Sequence, residues 1–141
     1  MLVTNGARDV YLWADSPLFG KVSMQTLPVS AAVGKALKEG RKGDSTGCGD
    51  NFAGGVIASI AKQLSHVSPL SRRGVGGEAL NSQFSILNSQ FSTLNSPLSL
   101  VESTKWGIVS GGFACFYYGG TYIEKKEGEK LTLLQELYDQ Y

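Results

Sequence analysis

Cysteine and histidine are scarce in this chain, neither sign of charge is in clear excess, and no apolar run is long enough to span a membrane. The two cysteines among 141 residues, Cys48 and Cys115, build no disulfide framework and have no metal-ligand spacing. Cys115 lies in an apolar helical run and is expected to be a core residue. The single histidine, His66, sits in a polar segment at the expected end of a helix, with no catalytic partner to be found. Only 18% of the residues are charged and the net charge is +1, a balance that points to neither nucleic acid nor an anionic membrane as partner. No signal peptide opens the chain, so the cytosol is the expected compartment. What is present is a 42% hydrophobic composition, enough for one domain with a real core, and an excess of glycine at 18 residues. Such an excess suits a protein that brings its backbone close to a ligand.

Taken in order, Leu2-Val3-Thr4 and Val10-Tyr11-Leu12-Trp13 are β-prone and flank the strong turn signal Asn5-Gly6. Asp15 to Gly20 has turn chemistry. Lys21 to Val29 predicts another strand, ending at Pro28. Ala31 to Lys42, with Gly34, Gly40 and a basic cluster, is expected to be a solvated loop or a weak helix. Asn51 to Leu64 predicts a helix, with Phe52, Val56, Ile57, Ile60, Ala61 and Leu64 forming one apolar stripe. Gly54 and Gly55 inside it each cost nearly 1 kcal/mol relative to Ala, which predicts close packing on a neighbour. Ser71 to Ser99 carries a decaying seven-residue repeat over residues 81–99, rich in Ser and Asn. It is poor coiled-coil material and predicts a loop inserted between two helices, over roughly residues 70–100. Ser103 or Thr104 can cap a helix from Lys105 to Tyr118. Thr121-Tyr122-Ile123 predicts a short strand. Leu131 to Tyr141 predicts a closing amphipathic helix with Leu131, Leu134 and Leu137 or Tyr138 turned inward. Strands and helices with strongly apolar faces make the class α/β.

The stretch Asp44-Ser45-Thr46-Gly47-Cys48-Gly49-Asp50 carries the chemistry. Without Cβ atoms at Gly47 and Gly49 the backbone can curl and turn several N–H groups the same way. Placed on the positive end of a helix, such a cluster is an anion site. Asp50 stands in the first turn beside it. A cradle for negative charge next to a carboxylate suits phosphoryl transfer, in which the acid takes a proton from the attacking hydroxyl. Taken by itself, Gly-x-Gly-Asp also reads as a tight loop and helix start whose acid favours the dipole.

With its flanks, Asp-Ser-Thr-Gly-Cys-Gly-Asp-Asn-Phe-Ala-Gly-Gly resembles the second signature of the ribokinase-like carbohydrate kinases, the PfkB family, usually written Asp-Thr-x-Gly-Ala-Gly-Asp-x-Phe. The departures are Ser45 and Cys48, both small and both keeping their backbone N–H. The resemblance implies a layered α/β fold of ribokinase type, with residues 1–141 as its C-terminal portion. It implies transfer of the γ-phosphate of ATP to a sugar hydroxyl, with Mg2+ on the phosphates. Asp50 would be the catalytic base, and Gly47, Cys48 and Gly49 the anion hole. Val3-Thr4-Asn5-Gly6 is similar to a family turn that lies over the nucleotide, which places Thr4, Asn5 and Gly6 near the phosphates or ribose. Ser110 would meet the adenine ring, although helix-to-helix packing explains a small residue there equally well. Asp44 and Thr46 match positions that help hold a monovalent cation such as K+ in some members. The family's sugar-binding half has no counterpart in the chain. Two other readings therefore stand beside the kinase: a nucleotide-binding remnant without catalysis, and an interaction module whose edge strand near Met1 pairs with another chain. The partners expected are a sugar, and a complementary N-terminal half or a second copy.

Overall fold

The computed structural model describes residues 1–41, 43–67 and 97–141. They form a mixed α/β unit with a three-stranded antiparallel sheet and four α-helices. The strands are β1 (Leu2–Thr4), β2 (Asp9–Ser16) and β3 (Gly20–Pro28), in that spatial order. The Asn5-Gly6 signal is used as expected: Gly6 takes φ of 57°, and the Asn5 N–H donates to the Asp9 carbonyl at 2.9 Å. Val3, Tyr11 and Thr26 pair across the sheet. A bulge sets Ser23 and Met24 of β3 against the single residue Trp13 of β2. Strand alternation turns Val10, Leu12 and Ala14 inward and leaves Trp13 outside. Leu12 and Ala14 pack with Leu100, joined by Leu2, Val22 and Leu27.

Helix α1 (Ala31–Lys38) occupies part of the stretch expected as loop or weak helix. Ser30 accounts for it: the side chain is buried and caps the first turn by accepting from the Val33 N–H. Val33 then packs over Gly112, where a Cβ would meet it at 2.8 Å. Helix α2 (Cys48–Val67) starts three residues before the expected Asn51. Helix α3 (Leu100–Ala114) also starts early, because the cap is Ser99, which accepts from the Glu102 N–H at 3.1 Å, rather than Ser103 or Thr104. Both of those residues are wholly buried, and Thr104 returns its hydroxyl to the Leu100 carbonyl. Of the insert expected over roughly residues 70–100, residues 70–96 lie outside the described residues. Its last residues are part of the packed unit, with Leu98 buried and its N–H donating to the Leu18 carbonyl at 2.9 Å.

Helices α2 and α3 run antiparallel and nearly touch. Gly55 sits on the Trp106 carbonyl and the Ser110 side chain, Gly107 lies under Phe52 and Val56, and Gly111 faces the Cys48 carbonyl. At the far end Gln63 bridges to Ser99 and Ser103, its amide donating to the Ser103 hydroxyl at 2.9 Å. The contact strip thus runs through Gly55, Val56 and Ser59. Ile57, expected in the apolar stripe, lies off that strip and is 66% exposed. On the other side of α3, Trp106, Val109 and Phe113 form the main core with Val33, Phe116 and Leu134. Helix α4 (Glu129–Asp139) closes it, with Tyr138 stacked on Trp106 at 4.6 Å between ring centres. Leu131, expected to face inward, is 62% exposed, because α4 docks through Leu134, Leu137 and Tyr138. Thr121-Tyr122-Ile123 forms no strand. Tyr122 instead sets its ring edge-on to Phe113 at 5.3 Å, which fixes the segment by side-chain packing without a ladder. Among the described residues no helix is long and apolar enough to cross a membrane.

Candidate functional site

The Asp44–Asn51 segment is built as a loop that hands directly into α2. Asp44 fastens it: its carboxylate accepts from the Thr46 N–H at 2.9 Å and from the Gly119 N–H at 3.2 Å. Those donors, Gly119 first, hold the Asp44 carboxyl below the usual carboxylate range. Gly47 then takes φ of 72°, a left-handed turn that an L side chain resists, and its Cα lies against Gly119 and Gly120. Its carbonyl receives the Asn51 N–H at 2.9 Å, the first helical bond of α2.

Among the described residues, the amides of Gly47, Gly49 and Asp50 have no protein acceptor. The Cys48 amide is spent on the Ser45 carbonyl at 3.3 Å. Of the residues expected as an anion hole, Gly47 and Gly49 thus keep free N–H groups, Cys48 does not, and Asp50 adds one. A Cβ added at Gly49 would meet nothing within 4 Å, so the space on the side-chain side of this residue is open. Free donors at the positive end of a 20-residue helix form a site that favours an anion. The Asp50 side chain is exposed and forms no hydrogen bond or ion pair among the described residues.

Asn51 is a functional candidate that sequence reasoning missed. Its amide nitrogen donates to the Gly47 and Gly120 carbonyls, at 3.0 and 3.2 Å, and its oxygen accepts from Lys130 Nζ at 3.2 Å. One side chain so joins the cradle, the 118–120 turn and the start of α4, and brings a cation to the mouth of α2. The only sequence sign was an amide in the first turn directly after Gly-Asp.

Cys48 points the other way, into the molecule, with its Sγ 2.8 Å from that of Cys115. Burial first, then the neighbouring Cys115 thiol, pushes the Cys48 pKa up to about 12, so it is a neutral thiol at physiological pH. Thr4 ends β1, and Asn5 and Gly6 lie in the β1–β2 turn; all three are exposed, with no hydrogen bond to residues 44–51 among the described residues. Ser110 is 5% exposed and faces Gly55 at the α2–α3 crossing, the position that helix packing calls for. Asp44 and Thr46 are adjacent, but N–H donors converge on the carboxylate, an arrangement that suits loop fastening better than a monovalent cation. A cleft of about 340 Å³ lies between α1, the end of α3 and α4, with Arg41 stacked over Phe116 at 4.5 Å. None of its lining residues belongs to the Asp44–Asn51 segment.

The Asp44 tie makes a pH prediction. A carboxyl whose pKa is lowered by folding stabilises the fold above its unfolded pKa, and that contribution is lost as pH falls through the lowered folded value. The Gly119 amide resonance should therefore titrate below the ordinary carboxylate value of about 4, and Asp44→Asn should abolish that inflection. Titration of Gly119 above that value in the unmodified protein would contradict the tie.

No protein-family model, no curated protein and no solved structure matches the chain.

Proposed function

We propose that the chain is the phosphoryl-handling part of a carbohydrate kinase with a ribokinase-like layered fold, acting with ATP on a sugar hydroxyl. The observation that supports this most is the start of α2: free amides at Gly47, Gly49 and Asp50 on the positive helix end, with the unpaired Asp50 carboxylate in the same turn. The amides would stabilise negative charge as it builds on the transferring phosphoryl group. Asp50 would receive the hydroxyl proton as the new O–P bond forms. Lys130, held at Asn51, would draw the phosphates in. Mg2+ would be carried mainly by phosphate oxygens and water, which leaves the Asp44 carboxylate to its amide donors and Asp50 to the proton. The resemblance of the motif argues the same way, and so does a polar cradle whose acid has no partner among the described residues.

A titration of the protein with ATP in a calorimeter, followed by assay of ADP release across a panel of sugars, tests the proposal. Binding heat with sugar-dependent ADP release supports it. Binding heat without turnover of any sugar favours the second reading, a nucleotide-binding unit without catalysis. No heat with ATP ends both.

A further inference from the structure

The chain's two cysteines are separated by 67 residues, yet their Sγ atoms stand 2.8 Å apart. No other cysteine exists in the chain to compete for either. Their meeting is enforced by the backbone on both sides. Cys48 opens α2 and Cys115 follows the last residue of α3. Gly111 lies so near the Cys48 carbonyl that a Cβ would stand 2.9 Å from it, and Gly43 rests on the main chain of Cys115 to Tyr117. Asp44 and Asn51 then tie the same segment to Gly119 and Gly120. Both thiols are half-buried, so a small reagent can reach them, but the frame around them leaves each little choice of partner.

We propose that Cys48 and Cys115 are a reversible disulfide site, oxidised by a low-molecular-weight disulfide such as oxidised glutathione. The thiol that first meets the reagent forms a mixed disulfide and releases one reduced glutathione. The second protein thiol displaces the other, so two protein S–H bonds and the reagent S–S bond are exchanged for one protein S–S bond and two reagent S–H bonds. The bridge joins the start of α2 to the end of α3 and closes the long loop between them in the unfolded chain, which is where a cross-link acts most. It would also fasten the anion cradle covalently to the segment leading into the 118–120 turn. The inference does not depend on the kinase reading.

The test equilibrates the full chain in glutathione buffers of graded potential, alkylates free thiols, and reads mass and thermal midpoint. The expected result is a monomer lighter by two hydrogens, with no alkylation and a midpoint raised by on the order of 5–10 °C. Dithiothreitol should reverse all three changes. Cys48→Ser and Cys115→Ser, each kept folded, should lose the rise in midpoint and gain one glutathione on the remaining thiol. Two thiols that stay open to alkylation in fully oxidised glutathione would overturn the proposal. So would two stable glutathione adducts, or bridges formed only between molecules.

Discussion

Asp50→Asn is expected to lower sugar-dependent ADP release by about 10²- to 10⁴-fold while leaving ATP binding within a few-fold of the unmodified protein. The asymmetry follows from the site. The Asp50 backbone N–H is one of the three free donors at the start of α2, and the substitution keeps it. What is lost is the proton acceptor, and Asn cannot take a proton from the attacking hydroxyl. Folding should be untouched, since the carboxylate is exposed and forms no hydrogen bond or ion pair among the described residues. A thermal midpoint within about 1 °C of the parent would establish that the loss is chemical. Unchanged turnover would remove Asp50 from the mechanism and leave the free amides as a binding site alone.

The second large effect concerns two adjacent glycines that should respond to the same substitution with opposite signs. Gly55→Ala is expected to destabilise the protein by about 2–3 kcal/mol, because the new methyl would stand 2.6 Å from the Trp106 carbonyl oxygen and 2.8 Å from the Ser110 Cβ. Backbone cannot step aside as a flexible side chain can, so α2 and α3 must separate along their shared strip. Gly54→Ala is expected to stabilise by about 0.5–1 kcal/mol: nothing lies within 4 Å of its added Cβ, and Ala is the better helix former. Thermal or urea unfolding of the pair checks both. Equal shifts of the same sign would mean that α2 and α3 do not approach as closely as described.

These glycines also show where sequence reading stops. Their cost inside a helix predicts close packing on a neighbour, which is what Gly55 does and Gly54 does not. Propensity is the same at both positions; only the direction in which α3 lies distinguishes them. The same limit explains Ile57 and Leu131. Both satisfy a helical apolar pattern, and both are exposed because the partner helix covers a strip centred elsewhere. Ser110 belongs with them, since a small residue on a helix serves a ligand or a neighbouring backbone equally well until the neighbour is placed.

Local chemistry carried the rest. The Asn5-Gly6 hairpin, the β-prone runs around it and the existence of α2, α3 and α4 were legible because turn and helix signals act over a few residues. The loop before α2, with glycines where the backbone must curl and an acid in the first turn, was legible for the same reason. Tertiary structure alone brought Gly119 to Asp44, Gly120 and Lys130 to Asn51, and Cys115 to Cys48. It also decided that Tyr122 would pack its ring on Phe113 rather than join a strand. Each of these joins residues at least 67 positions apart, apart from the nine between Tyr122 and Phe113, and all depend on how α3 and α4 dock. The side-chain identities that make the cradle are therefore local, whereas the frame that holds it open comes from packing that no short window of sequence contains.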